Sequence, residues 1–245
     1  MVLPSITTPR YTLEQPSTGK QISYRPFLVR EEKILLMALE SDDAFEAIQA
    51  TKQVIANCCD LEDIDSMPMF DIEYILLQLR SKSVGEIAEP AIACPECGGT
   101  IKLKLDLSKV KVQKTKDHTS KIQLTSTVGL VMKYPTYAML QGAKGAENFT
   151  TVETLDLMLD CIDFIFDGDQ NHKASEQTKE ELHEFLDQLT QTHFAKIQDF
   201  FDTMPKLEHT MAYTCANKVE DDSGEQTKCG YKGKLVISTL QDFFG

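Results

Sequence analysis

The stretch Ala91-Ile-Ala-Cys94-Pro-Glu-Cys97-Gly-Gly-Thr-Ile101 carries the reading of this chain. Apolar residues enter and leave it, and Cys-Pro-x-Cys-Gly between them has the form of a knuckle. Two thiolates separated by two residues can wrap one metal ion with backbone N–H groups turned towards the sulfurs, and Gly98 supplies the unusual φ that turns the chain back. Zinc takes four such ligands in a tetrahedron, so one knuckle needs a partner. The matching context lies near the other end, where Met211-Ala-Tyr-Thr-Cys215 enters a polar excursion and Cys229-Gly230-Tyr231 leaves it for Leu235-Val-Ile237. The two stretches form a weak internal repeat: two hairpins, each tipped by a cysteine pair and a following glycine. We therefore expect a structural zinc held by Cys94, Cys97, Cys215 and Cys229.

Thirteen residues, Ala216 to Lys228, separate the second pair, where a strict ribbon has two. With Glu220, Asp221, Asp222, Ser223 and Gly224, they read as an exposed loop spliced into the knuckle. Loop-closure entropy grows slowly with length, so the longer pair can still bind. Four sulfurs close the coordination sphere, which makes such a site structural rather than catalytic. The competing reading pairs Cys94 and Cys97 as a redox dithiol with a depressed thiol pKa, or leaves them free, and makes Cys215 and Cys229 unrelated.

Outward from the knuckle, Ile101, Leu103, Leu105 and Leu107 alternate with polar residues, the pattern of a half-buried strand. More strand is expected around Ile122–Met132, at Leu207–Cys215 and at Lys234–Ser238. Residues 10–28 read as a hairpin, with Tyr11, Leu13, Ile22 and Tyr24 alternating across Pro16-Ser17-Thr18-Gly19. Helical spacing covers Arg30 to Glu40, then Asp43 to Cys59, then Pro68 to Ser81, with Ser66 as N-cap of the third and Phe70, Tyr74 and Leu77 on one face. A Pro135-initiated helix is expected over Thr136 to Lys144. Thr150 with Glu153 and Thr178 with Glu181 form capping boxes. The first precedes Val152, Leu155, Leu159, Ile162 and Phe166, and the second precedes Leu182, Phe185, Leu186 and Leu189. Phe194, Ile197, Phe200 and Phe201 continue the helical pattern to Pro205. The expected fold class is α+β: a helical core with β-hairpins, two of them converging on a zinc-ribbon-like four-cysteine site. Residues 1–245 are expected to form a single unit with sub-regions 1–90, 91–135, 136–205 and 206–245.

Composition narrows function. Of 245 residues, 42% are hydrophobic and 26% charged, a balance that excludes wholesale disorder. Lys and Arg total 25 against 38 Asp and Glu, and a net charge of −13 disfavours general binding to phosphate backbones. The longest apolar run, Ile34 to Leu39, falls far below the ~20 residues of a bilayer span. Met1 to Pro9 shows neither a basic nor an apolar signal region, so a cytosolic setting is expected. Seven cysteines, an odd number in a reducing compartment, favour thiols and a metal over a disulfide framework.

Weaker signals resolve blandly. Gly19-Lys20 lacks the rest of a phosphate loop. Asp167-Gly-Asp169-Gln-Asn171, between two expected helices, lacks the glycine and glutamate of a calcium loop. Cys58, Cys59 and Cys161 sit on apolar patterns as small buried hydrophobes. Most of the histidines (118, 172, 183, 193 and 209) read as solvated surface, and Asn148-Phe-Thr150 is a sequon without use in a cytosol. No Gly-x-Ser-x-Gly elbow or His-Glu-x-x-His helix is present. Lys102, 104, 109, 111, 114, 116 and 121 face only Asp106 and Asp117, which makes residues 101–121 basic at +5. Lacking aromatics for stacking and arginines for base edges, that strip reads as a soluble face or a contact for an acidic neighbour. A zinc-ribbon nucleic-acid-binding regulator is the alternative class.

Several of these stretches together resemble one family. They are Pro16-Ser-Thr-Gly-Lys20, Tyr24-Arg-Pro-Phe-Leu-Val-Arg-Glu-Glu-Lys33, Leu36-Met-Ala-Leu-Glu40, Cys94-Pro-x-Cys-Gly98, Glu180-Glu-Leu-x-Glu-Phe-Leu186, Phe200-Phe201 with Pro205, and the cysteines at 215 and 229. Over nearly its full length the chain resembles the T-even-type phage baseplate hub family, which includes the hub subunit and the hub assembly protein. The resemblance implies a non-enzymatic structural or assembly role with other baseplate and hub proteins as partners and no small-molecule substrate. It implies a protein made in the infected host cytoplasm that either helps build the virion tail baseplate during assembly or becomes part of it.

Overall fold

Leu13 and Ile22 lie opposite each other in the hairpin of β1 (Tyr11–Glu14) and β2 (Gln21–Tyr24), both buried beneath it. The computed structural model describes residues 7–40, 44–140, 150–220 and 226–238. Three helices follow the hairpin: α1 (Val29–Glu40), α2 (Ala44–Cys58) and α3 (Met69–Ser83). Val54, Ile55, Ile72, Ile75 and Leu79 are fully excluded from water and pack with Leu13, Ile22 and Tyr24 into the first core. Two buried carboxylates fix how the pieces meet. Asp71 in the first turn of α3 accepts from Gln15 Nε2 (2.7 Å) and the Ser17 N–H (3.0 Å), which seats the hairpin turn on the helix. Glu31 accepts from Arg25 (3.0 Å), Arg30 (2.6 Å) and the Leu28 N–H (2.8 Å). Ser66 does not cap α3. Pro68, extended at ψ 146, is the N-cap residue, and the Ser66 N–H instead meets Asp63, because the helix starts too late for its hydroxyl to reach. The expected start of α2 at Asp43 lies outside the described residues.

The continuous strand expected over 101–107 is broken in two. β3 (Ile87–Ala88) and β4 (Ala91–Ala93) are separated by Pro90, which has no N–H to donate and interrupts the partner ladder. Accordingly β5 (Thr100–Lys102) pairs with β4 and β6 (Leu105–Asp106) with β3, while the Leu103 N–H bridges the gap to the Pro90 carbonyl at 2.9 Å. A 3₁₀ turn follows over Leu107–Lys109, then β7 (Val112–Gln113). The alternation still places Ile101, Leu103, Leu105 and Leu107 inside.

β8 (Lys121–Gln123) and β9 (Val128–Met132) lead through α4 (Tyr137–Leu140) to α5 (Thr151–Asp160). Residues 141–144 of the expected α4, and Asn148 and Phe149 of the sequon, lie outside the described residues. The helix expected to run on through Ile162 and Phe166 ends at Asp160, and β10 (Ile162–Asp167) follows as an inner strand of a sheet ordered β11-β10-β9-β8, with β11 at Gln170–Lys173. Ile162, Phe164 and Phe166 are spaced by two as well as near a helical turn. Their β-branched and aromatic character, and the Asp167-Gly168 turn that follows, favour the hairpin. The acidic stretch at 167–171 is thus a hairpin turn and its second strand, not a loop between helices. Both capping boxes form with both reciprocal bonds, starting α5 and α6 (Lys179–Asp187), and Thr190 caps α7 (Gln191–Thr203). Leu159, Leu182, Ile197 and Phe200 pack on Leu130, Met132 and Ile162 as a second core.

The last segment returns to the first half. β12 (Lys206–Leu207) pairs with β7, and β13 (His209–Thr214) pairs with β16 (Lys232–Ile237) from His209↔Ile237 to Thr214↔Lys232. Leu207 and Ile237 join Ala88, Leu105, Leu107 and Val110 around Leu77 of α3, and Met211 and Leu235 continue from that cluster to the cysteines. The spliced segment carries its own hairpin, β14 (Lys218–Glu220) with β15 (Gln226–Lys228), where an open loop was expected; residues 221–224 lie outside the described residues. The architecture is α+β, helices with antiparallel hairpins, and two of the hairpins bring the four cysteines together. Among the described residues, no helix is long and apolar enough to cross a membrane.

Candidate metal centre

The two knuckles share one backbone design. In the first, the Cys94 N–H donates to the Gly99 carbonyl (2.9 Å) and the Gly98 N–H to the Cys94 carbonyl (2.9 Å). In the second, the Cys215 N–H donates to the Tyr231 carbonyl (2.8 Å) and the Gly230 N–H to the Cys215 carbonyl (3.1 Å). Gly98 and Gly230 follow the second cysteine of their pairs, and both adopt φ 68, a left-handed conformation that favours glycine. The thirteen-residue separation leaves this pattern intact because β14 and β15 pair from Lys218↔Lys228 outward. Cys229 is brought back to the neck of that hairpin, its N–H on the Asn217 carbonyl at 2.8 Å.

The sulfurs of Cys94, Cys97, Cys215 and Cys229 all lie within 4.8 Å of one another. Cys94 Sγ is 3.8 Å from Cys229 Sγ, and Cys97 Sγ is 3.7 Å from Cys215 Sγ. A tetrahedral ion with metal–sulfur bonds of about 2.3 Å sets its sulfurs about 3.8 Å apart, so the donor set fits such an ion. Cys94 and Cys215 are buried and Cys97 and Cys229 half-buried, against Ile101, Leu103, Met211, Tyr213, Tyr231 and Leu235. Backbone N–H groups of Cys97 and Glu96 hold the Cys94 thiol down, to about 7. At Cys229 the Tyr231 backbone pulls the same way, but desolvation and the three neighbouring sulfurs prevail and push the thiol up to about 12. Burial likewise raises Cys215. Four crowded thiols resist ionising together unless a cation is shared among them. The arrangement can bind a metal, and four sulfurs would fill a tetrahedral coordination sphere.

Cys58, Cys59 and Cys161 are buried away from this cluster, their thiols pushed up by burial to about 11, 12 and 12. In the lysine strip, Lys104 pairs with Glu89 (3.7 Å) and Lys109 with Asp106 (2.9 Å), Lys114 donates to the Pro16 carbonyl (2.7 Å), and Lys121 lies over the Phe166 ring. His118 is half-buried rather than solvated: it packs against both Tyr134 and Phe200, with Nδ1 2.9 Å from Thr203 Oγ1. The sequence reading missed Asn217. Its amide Nδ2 lies 3.9 Å from Cys97 Sγ and 3.2 Å from the Thr100 carbonyl, reaching across from the other knuckle. Only its place two residues after Cys215, equivalent to Glu96 after Cys94, could have marked it.

Neither the curated proteins nor the solved structures contain a match to the chain. A family model does match: that of the T4 bacteriophage base plate protein, over residues 8–245. The match spans the hairpin, the helices and both cysteine pairs, and the chain belongs to the T4 bacteriophage base plate protein family.

Proposed function

We propose that this baseplate protein is a non-enzymatic hub component or hub assembly factor that acts by binding other baseplate proteins, and that its four cysteines hold a structural zinc ion. The observation that supports the metal is the repeated knuckle: two distant segments with the same backbone hydrogen bonds present four sulfurs at tetrahedral spacing. Cys94, Cys97, Cys215 and Cys229 would be its ligands. When bound, the ion supplies a cross-link and no reaction. The chain's own residues do the rest, with β4–β5 and β13–β16 as rigid docking pieces and the Leu77 cluster transmitting that rigidity to α3. The same cluster supports treating residues 1–245 as one unit. The β1–β2 hairpin and the cysteine-tipped hairpins are the surfaces we assign to partners. Family membership places the protein in the tail baseplate, and the assembly reading adds a stage in the infected cytoplasm.

Metal analysis of the native protein should find one zinc per chain, lost in Cys94→Ser and Cys229→Ser. Proteomics of purified tails and of tail-assembly intermediates tests the role. The chain should be present in at least one of the two fractions, and absence from both contradicts the reading.

A further inference from the structure

We infer that Asn217 is the positioning residue that joins the two knuckles into one site, an assignment that rests on the metal reading above. One residue engages three of the four ligands. Its carbonyl accepts from the Cys229 N–H at 2.8 Å, its side-chain Nδ2 faces Cys97 Sγ at 3.9 Å, and its backbone N–H pulls the Cys215 thiol down against the upward push of burial. The orientation of the amide follows from chemistry. Its other neighbour is the Thr100 carbonyl at 3.2 Å, so a sulfur and a carbonyl oxygen, both acceptors, must meet the NH₂ end. The close fit depends on Gly99, where a Cβ would lie 2.5 Å from Nδ2. The Asn217 backbone thus reproduces within the second knuckle what Glu96 does in the first, while its side chain crosses to the opposite knuckle. An N–H donor on a metal-bound thiolate draws off charge and fixes the sulfur's direction. Without it, Cys97, which is half-buried, would be the more nucleophilic and more easily released ligand.

The test compares wild type, Asn217→Ala, Asn217→Asp and Gly99→Ala, each metal-loaded, in two assays. One follows metal release to a chromogenic chelator, and the other maps iodoacetamide alkylation of each cysteine by mass spectrometry. Asn217→Ala and Asn217→Asp should release metal about tenfold faster than wild type. Asn217→Asp should be at least as fast as Asn217→Ala, because a carboxylate oxygen would face the thiolate. Alkylation should accelerate at Cys97 selectively. Should Asn217→Ala fail to fold, Gly99→Ala carries the comparison, since it displaces the amide while keeping it in the chain. Wild-type release rates, an Asn217→Asp protein slower than Asn217→Ala, or equal acceleration at all four cysteines would overturn the assignment and leave the metal reading standing. A wild-type protein that holds no metal overturns both.

Discussion

The N-terminal body and the cysteine-tipped hairpins reach order by different physics. Among the described residues, the first core gathers fifteen buried side chains from the first hairpin, α2, α3, Tyr137 of α4 and the connecting segments, whereas the cysteine cluster buries four, two of which are Cys94 and Cys215. The body orders itself by excluding water, and it matches its buried charges, Asp71 and Glu31, to nearby donors. Two-stranded hairpins are marginal alone, and β4–β5 and β13–β16 have little apolar surface to hide. A region with so small a core needs a ligand to order it. The contrast gives the proposed metal its work: once bound, it would stand in for a core.

The largest effect expected from this contrast comes from stripping the metal. Structural zinc sites contribute on the order of 10 kcal/mol. Chelation should abolish amide-exchange protection in β4, β5, β13 and β16 while α2 and α3 stay protected; equal loss in both regions would break the comparison. Next comes Glu31→Ala, which strips Arg25 of its buried partner and should cost about 4 kcal/mol in chemical denaturation without changing metal content. The pH dependence has the same origin. Desolvation raises the Glu31 pKa, but Arg25, the Leu28 N–H and Arg30 outweigh it and hold the carboxyl at about 2, below its ordinary 4.5. A depressed pKa gives stability that is present above 4.5 and lost as pH falls from there towards 2. Acid titration of Glu31→Gln should therefore be flatter over that window than wild type. A smaller loss, about 1 kcal/mol, is expected from Thr178→Ala, which removes the cap of α6, and thermal melting can read it. Smallest of all, replacing residues 219–227 with two glycines should leave metal affinity unchanged, since the second knuckle closes below that hairpin. A large loss on competition with a chelator would show that the insertion belongs to the site.

Much of this was legible because short-range chemistry wrote it. Thr178 and Glu181 announce α6, and Leu13 and Ile22 announce the first hairpin. The clustering of the four cysteines was legible too, since a Cys-Pro-x-Cys-Gly knuckle needs a partner and the chain offers one in matching context. What escaped depends on neighbours distant in sequence. Ile162 and Phe166 fit a helical stripe and a strand face alike, and pairing with Val128–Met132 decides between them. The break after Lys102 follows from Pro90 on the opposite strand. Asn217 carries no signature, because an asparagine in a polar loop is ordinary until the fold sets a sulfur beside its amide.

X-ray absorption at the zinc edge of the native protein tests the central claim most directly. The account predicts a single shell of four sulfurs at about 2.3 Å, collapsing in Cys215→Ser. A shell with fewer than four sulfurs, or a native protein without metal and with its thiols free, would contradict it.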